Sequence, residues 1–304
     1  MRHARTLLLA AVSALASCAP PAAGPLPIPP RAGEDAEAAL VAAEQAFQEA
    51  TIREGVRDGF IRFADDSAVI FRPEPVNAIA SFRSRPATKI RLAWHPAFAH
   101  AARSGDLGFT TGPSQVMDST GAVIGYGNYV TVWRRGPEAW RWVVDLGISN
   151  PKPEPEAPLW TPAAAGPPAF PAGEPNAAAA ASLLAADNAF AAQAGRDGLA
   201  AALRSFGDRG MRLLRNNAQP HVGLAAALAA ASADSTRRYS ATPARAFTSA
   251  AGDFGWSYGE YRYVLAGAGR RETGHYVRIW ARDGNGPWRL LVDVVAPRPP
   301  ERDE

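Results

Sequence analysis

Gly105-Asp106-Leu107-Gly108-Phe109-Thr110-Thr111-Gly112 recurs 147 residues later as Gly252-Asp253-Phe254-Gly255-Trp256-Ser257-Tyr258-Gly259. Each octet opens on turn residues and runs on into strand-forming ones, the pattern of a hairpin entering a sheet. At the same offset of 147, GNYVTVWRR (Gly127 to Arg135) returns as GHYVRIWAR (Gly274 to Arg282), with five of nine positions identical. One residue further on, Trp140-Arg141-Trp142-Val143-Val144-Asp145 matches Trp288-Arg289-Leu290-Leu291-Val292-Asp293. Upstream, Ala43-Glu44-Gln45-Ala46-Phe47 matches Ala186-Asp187-Asn188-Ala189-Phe190. Order and spacing hold across both copies. Two copies are too few for a solenoid, so the chain reads as two similar domains.

Within each copy the same elements follow one another. Residues 35–54 carry Ala39, Leu40, Ala43 and Phe47 at helical spacing behind an acidic start. A second short helix carries Val56, Phe60 and Phe63, Ser67 to Phe71 is a strand, and Val76 to Phe82 a third helix. Four strand-like segments follow, 90–103, 107–117, 122–135 and 140–148, joined by turn-rich hairpin material. Helices grouped ahead of strands predict an α+β unit, a curved antiparallel sheet with about three helices on one face. The predicted domains are 35–149 and 177–297, with a tail at 298–304. Between them, 150–176 is a linker; Pro151 to Pro175 holds nine prolines in 25 residues, which makes it semi-rigid and extended. Leu159, Trp160 and Phe170 are its apolar exceptions, able to staple it to a domain surface.

The amino terminus reads differently. Two arginines precede LLLAAVSALA, an apolar run of secretory length that is too short to span a bilayer. Leu15-Ala16-Ser17-Cys18 resembles a bacterial lipobox. The resemblance implies a signal peptide at 1–17, a diacylglyceryl group on Cys18, and a membrane anchor through it. Cys18 is the only cysteine, so no intramolecular disulfide is possible. Residues 18–34 form a Pro-rich tether, and Ala19 after the cysteine resembles the pattern that sorts lipoproteins to the periplasmic face of the outer membrane.

The 304 residues carry 32 Lys+Arg and 29 Asp+Glu, too even a balance for a general nucleic-acid binder. Only Lys89 and Lys152 are lysines, a bias that accompanies the abundant Ala, Gly and Pro. No Walker, GxSxG or dinucleotide glycine pattern is present. His95, His100, His221 and His275 have no metal-ligand spacing, so neither a metal nor a cofactor is expected.

The helix-then-meander order, the GDLGFTTG hairpin, GNYVTVWRR and the closing WRWVVDLGIS together resemble the nuclear-transport-factor-2-like superfamily, and within it exported SnoaL-like members. The resemblance covers about 35–149 and 177–296. It implies tandem cone-shaped domains, each enclosing a pocket between sheet and helices and pairing through the sheet's outer face. A duplicated chain could pair within itself as a pseudo-dimer, or between chains as a homodimer. The superfamily spans isomerases, cyclases and non-catalytic binding proteins, so fold does not fix activity.

Strand alternation gives the candidate pocket residues. A mid-strand arginine suits an outer face, which puts Arg278 and its matching Thr131 outside, and Tyr126, Asn128 and His275 inside. On the closing strand Trp140, Trp142, Val144 and Leu146 then look inward, while Arg141 and Asp145 look outward. Asp293 is expected to pair across strands with Arg278. Arg72 and Arg215 recur after the first strand, placed to hold a carboxylate at the pocket mouth or to cap a helix end. Trp94 and His95 complete the candidates on the first meander strand. The reading is a lipid-anchored envelope protein that binds a small apolar or amphipathic ligand, or a protein partner, without a complete catalytic constellation. The alternative is proton transfer or hydrolysis of the ketosteroid-isomerase kind in the first domain, with His95 as base.

Overall fold

The computed structural model describes residues 35–154, 158–161, 175–233, 237–265 and 271–299. Residues 1–34, with Cys18 and the tether, lie outside them, as does Phe170. Asp35 caps the first helix, accepting from the backbone N–H of Glu37 at 2.9 Å. Behind this cap α1 (Ala36–Glu54) buries Leu40, Ala43, Phe47 and Ala50 along one stripe. Gly55, at φ +89°, turns the chain into α2 (Val56–Phe63), a left-handed geometry that glycine adopts without strain. Then come β1 (Ala64–Phe71), β2 (Pro75–Asn77), α3 (Ala78–Arg83), β3 (Arg91–Trp94), β4 (Phe98–Ala101), β5 (Leu107–Met117), β6 (Val123–Arg135) and β7 (Trp140–Asn150).

The second half repeats this order. α4 (Ala177–Asp197) and α5 (Leu199–Phe206) meet at Gly198, again at φ +89°. β8 (Gly207–Leu214), β9 (His221–Val222), α6 (Leu224–Ala233), β10 (Arg237–Thr248), β11 (Phe254–Leu265), β12 (Arg271–Ala281) and β13 (Arg289–Pro297) follow. The chain is thus a mixed α+β structure with two curved sheets and six helices among the described residues. Among them no helix is long and apolar enough to cross a membrane.

The first sheet runs β2-β1-β7-β6-β5-β3, with β4 also on β5. The second runs β9-β8-β13-β12-β11-β10, the same path with one strand in place of β3 and β4. The expected single strand at 90–103 is therefore split. Pro96 has no N–H to offer the ladder, and the chain bows out between Trp94 and Phe98. The sheets are also not purely antiparallel, because β1–β7 and β8–β13 pair in parallel. The long meander between those strands supplies the crossover that a parallel pair needs. The third helix starts at Ala78 because Val76 lies in the short strand β2, paired with β1.

The glycines of the repeated octet stand where backbones cross. A Cβ on Gly112 would lie 2.0 Å from the His95 carbonyl oxygen, and one on Gly259 2.2 Å from that of Thr242. The two aspartates join the halves reciprocally. Asp106 accepts from the Ala250 N–H (2.9 Å), and Asp253 accepts from the Arg103 N–H (3.1 Å) and Nε (2.9 Å). One apolar cluster spans both sheets, with Phe109, Val130, Val132, Val144 and Leu146 on one side and Phe254, Val277, Ile279, Val292 and Val294 on the other. Phe109 stacks on Phe254 at 6.1 Å. The Trp160 backbone N–H donates to the Pro96 carbonyl at 2.9 Å, while Leu159 stays exposed.

This packing reverses the expected faces. Val130 and Val132 meet the other sheet, whereas Tyr129 and Trp133 face the helices with Phe47, Phe60 and Phe63. On β7 a bulge decides the outcome. Val132 pairs with Val144 but Trp133 with Trp142, so Val143 is an extra residue. Trp140 and Trp142 therefore point to the helices, while Val144 and Leu146 point to the other sheet. Asp145, expected outside, pairs with Thr131 on the helix side. The same bulge recurs at Leu291.

Candidate functional site

Two interiors lie between helices and sheets, and they differ in charge. In the first, α1 carries Glu44 on the same stripe as Leu40 and Phe47, which takes it to full burial. Trp94 Nε1 (2.5 Å), Trp133 Nε1 (2.9 Å) and the Thr110 hydroxyl all donate to its carboxylate. Burial still dominates and pushes its pKa from 4.5 up to about 7. Opposite, the Thr131 hydroxyl donates to half-buried Asp145 at 2.7 Å. Burial lifts Asp145 to about 6, against the bond from Thr131 and the positive charge of Arg72. The buried Tyr129 hydroxyl lies beside Thr110 and Glu44 without a hydrogen bond of good geometry. Rings surround this acid pair, with Phe47 4.8 Å from Phe60, 4.9 Å from Trp94 and 5.9 Å from Trp133.

In the second interior Asp187 stands in the place of Glu44 and Asp293 in that of Asp145. Arg278 replaces Thr131. Its Nη1 lies 2.5 Å from Asp187 and its Nε 3.2 Å from Asp293, and it also donates to the Tyr239 hydroxyl. All three ionic side chains are fully buried. The expected Arg278–Asp293 pair forms, but inside rather than on an outer face. An arginine is tolerated there because two carboxylates and the rings of Tyr276 (3.9 Å) and Phe190 (4.2 Å) surround it. Burial raises Asp293, but Arg215 and Arg278 outweigh it and hold the group below the ordinary carboxylate range.

A cavity of about 490 Å³ opens beside this network. Leu199, Leu213, Ala230, Ala231 and Val295 supply apolar wall, and Arg215, Tyr263, His221 and Glu272 the polar groups. Arg215 Nη1 donates to the Leu214 and Asp293 carbonyls (2.9 and 3.0 Å) and lies 3.1 Å from Asp293 Oδ1. Its Nη2 is covered and makes no hydrogen bond of good geometry, with Tyr263 beside the guanidinium. Burial and the neighbouring Arg215 hold His221 below its usual pKa. Glu272 accepts from the Tyr261 hydroxyl at 2.8 Å.

The sequence candidates are not brought together. Trp94 reaches the first interior through Glu44, and Trp142 donates to the Phe60 carbonyl at 3.1 Å. Arg72 is exposed, its Nη1 on the Phe71 carbonyl at 3.2 Å. His95 lies in the break between β3 and β4, its Nε2 buried without a hydrogen bond. Tyr126 is half-buried on β6, opposite Asn150. Asn128, expected inside, bonds Asn150 at 2.9 Å on the face that turns to the other sheet. His275, also expected inside, stacks on Phe71 of the first half at 5.2 Å. These two follow the reversed faces above. Arg215 alone of the set lines the cavity. Glu44 and Asp187 were not singled out, although both stand in the matched AEQAF and ADNAF motifs. An acid in the same place on two apolar stripes was the available signal.

Glu74, Glu260 and His275 offer ligand atoms within 4.8 Å of one another. Arg298 already occupies the cluster, at 2.7 and 2.9 Å from Glu74 and 3.3 Å from Glu260, and supplies the positive charge a metal would bring.

No family model and no curated protein matches the chain. Solved structures match over part of it. A conserved protein from Planctomyces limnophilus is 20% identical, with a TM-score of 0.32, over 39% of this chain and 96% of its own. A protein assigned as a SnoaL-like polyketide cyclase from Jannaschia sp. is 13% identical, with a TM-score of 0.32, over 41% and 91%. ActVI-ORFA from Streptomyces coelicolor is 14% identical, with a TM-score of 0.30, over 38% and 95%. Likeness of this depth identifies no reaction.

Proposed function

We propose that this is a lipid-anchored ligand-binding protein of the cell envelope. Its second half holds a small apolar or amphipathic molecule in the cavity beside Arg215. The observation that carries this reading is the cavity itself. Its 490 Å³ falls within the range of small-molecule sites, and its wall mixes apolar residues with polar and charged ones, as an amphipathic ligand requires. Arg215 is held in that wall by the Asp293 carboxylate and the Leu214 and Asp293 carbonyls, so it forms a fixed rather than a mobile part of it.

We read the halves as tandem nuclear-transport-factor-2-like units joined as an intrachain pseudo-dimer. The repeated motifs, the shared strand path and the reciprocal Asp106 and Asp253 contacts support this. A two-fold pairing buries the same patch on both partners, and matched residues here exchange equivalent bonds. The lipobox supports anchoring through Cys18 to the outer membrane. The direct test is membrane partition of Cys18→Ser, and unchanged partition would refute the anchor.

Binding is tested with prodan, a neutral naphthyl ketone whose fluorescence reports an apolar site. Saturable one-to-one binding is expected, and Ala231→Trp, which fills the cavity wall, should abolish it. No saturable binding to the native protein, or binding indifferent to that substitution, defeats the proposal.

The acid pair of the first half favours a second reading, proton transfer at Glu44 and Asp145. A general base must reach its substrate's proton. Glu44 is fully covered and its three donors are protein groups, so we place this reading behind the first.

A further inference from the structure

We infer that the end of the first half where α3 runs out and β3 begins is a docking surface for a membrane carrying anionic phospholipid headgroups. The surface is separate from the cavity and from Cys18, so it goes beyond both parts of the function proposed above.

The chain from Arg83 to Arg91 reads RSRPATKIR, and all nine of its residues are exposed. It carries Arg83, Arg85, Lys89 and Arg91, and no Asp or Glu occurs between Glu74 and Asp106. Among the described residues Arg83, Lys89 and Arg91 bond no carboxylate. Arg85 is held only by Ser81, with its Nε 2.9 Å from the carbonyl and its Nη2 3.2 Å from the hydroxyl. Ladder register sets an apolar edge beside these cations. Arg91 pairs with Met117 on β5, and Met117 with Val123 on β6. Arg91 and Val123 are thus two strand spacings apart, about 10 Å. Ile90 is 37% exposed, Val123 41% and Ile124 58%, three of the seven large apolar side chains exposed among the described residues. The acid nearest in register is Asp118 in the β5–β6 turn, where its Oδ1 accepts from the Thr120 and Ala122 N–H groups at 2.8 and 3.1 Å. One acid against four cations leaves the surface positive, and Lys152 and Glu154, exposed past β7, offset each other. An acidic protein segment would use the cations and leave Ile90, Val123 and Ile124 in water. A purely apolar partner would cover unpaired cations. Anionic headgroups above acyl chains satisfy both.

The test is co-sedimentation of the full chain, carrying Cys18→Ser so that no acyl group contributes, with vesicles of phosphatidylcholine alone or mixed with phosphatidylglycerol at low salt. Each basic side chain near an anionic surface strengthens binding by about fivefold, so the mixed vesicles should be preferred by at least about tenfold. Arg83→Gln, Lys89→Gln and Arg91→Gln together should weaken binding to them by at least about tenfold. Val123→Thr with Ile124→Thr should weaken it by about fivefold. All five positions are exposed, so both variants should keep the native Tm, and the amino-terminal segment common to every protein cancels in the ratios. Salt at about 1 M should release the contact, whereas acylated native protein should stay with membranes through the same wash, which keeps the Cys18 anchor separately testable. Equal partition into the two kinds of vesicle, native-like partition of either variant, or capture by polyglutamate without vesicle binding would overturn the inference.

Discussion

Glu44 makes the stability of this protein depend on pH in an unusual direction. Its carboxyl is fully buried, and its pKa rises from 4.5 to about 7 on folding. The folded chain then holds that proton more tightly than the unfolded chain. Stability on this account is complete below about pH 4.5 and is lost as pH climbs through about 7. A shift of this size is worth about 3 kcal/mol, at roughly 1.4 kcal/mol per unit. Between about pH 5 and about pH 8 the expected loss is roughly 2–3 kcal/mol. The assay is urea unfolding across that range, run on the native protein and on Glu44→Gln. Glutamine keeps the shape and an accepting oxygen for Trp94 or Trp133, and has no proton to lose. Asp145, raised to about 6, titrates in both proteins and largely cancels in the comparison. Asp293 does not interfere, because its pKa is lowered and its stabilising charge is lost only under more acidic conditions. The stability gap between Glu44→Gln and the native protein should shift by about the same 2–3 kcal/mol in favour of the variant as pH rises. A gap that stays constant from acid to alkaline would refute the reasoning.

Arg278→Met leaves Asp187 without its cation and strips one from Asp293, so unfolding should become easier by about 3–5 kcal/mol. Adding Asp187→Asn should recover part of that loss, and denaturant melts of the two variants decide it. Asp253→Ala removes the bonds to Arg103 and Ser249 at the junction of the halves, with an expected cost of about 1–3 kcal/mol. Asp106→Ala should behave alike, and a calorimetric scan that left both variants at the native Tm would contradict the clasp. Gly112→Ala sets a Cβ 2.0 Å from the His95 carbonyl, so it should lower Tm sharply, whereas Gly121→Ala meets nothing within 4 Å and should cost only the strain of its φ of +91°.

Much of the architecture was legible because its signals are local. The Gly-Asp turns, the alternating runs and the helical stripe around Leu40, Ala43 and Phe47 each span a few residues, and they repeat at a fixed offset. The role of the repeated aspartates was not legible. Asp106 and Asp253 matter for what they reach in the opposite half, 144 and 150 residues away.

What the sequence determined by itself was the repeat of motifs, the broad order of elements and the α+β class, since backbone propensity and turn chemistry act over short stretches. What only the tertiary structure decided was which way the strands face and where charge is buried. Both faces of these strands are apolar, so alternation cannot say which one meets helices and which the other sheet. A single extra residue, Val143 on β7 or Leu291 on β13, then exchanges the faces along the rest of the strand. Arg278 was placed outside because a buried arginine is costly alone. It lies inside because folding brings it Asp187, 91 residues away, and Asp293 together. Compensation between such distant charges exists only once the chain has closed around them.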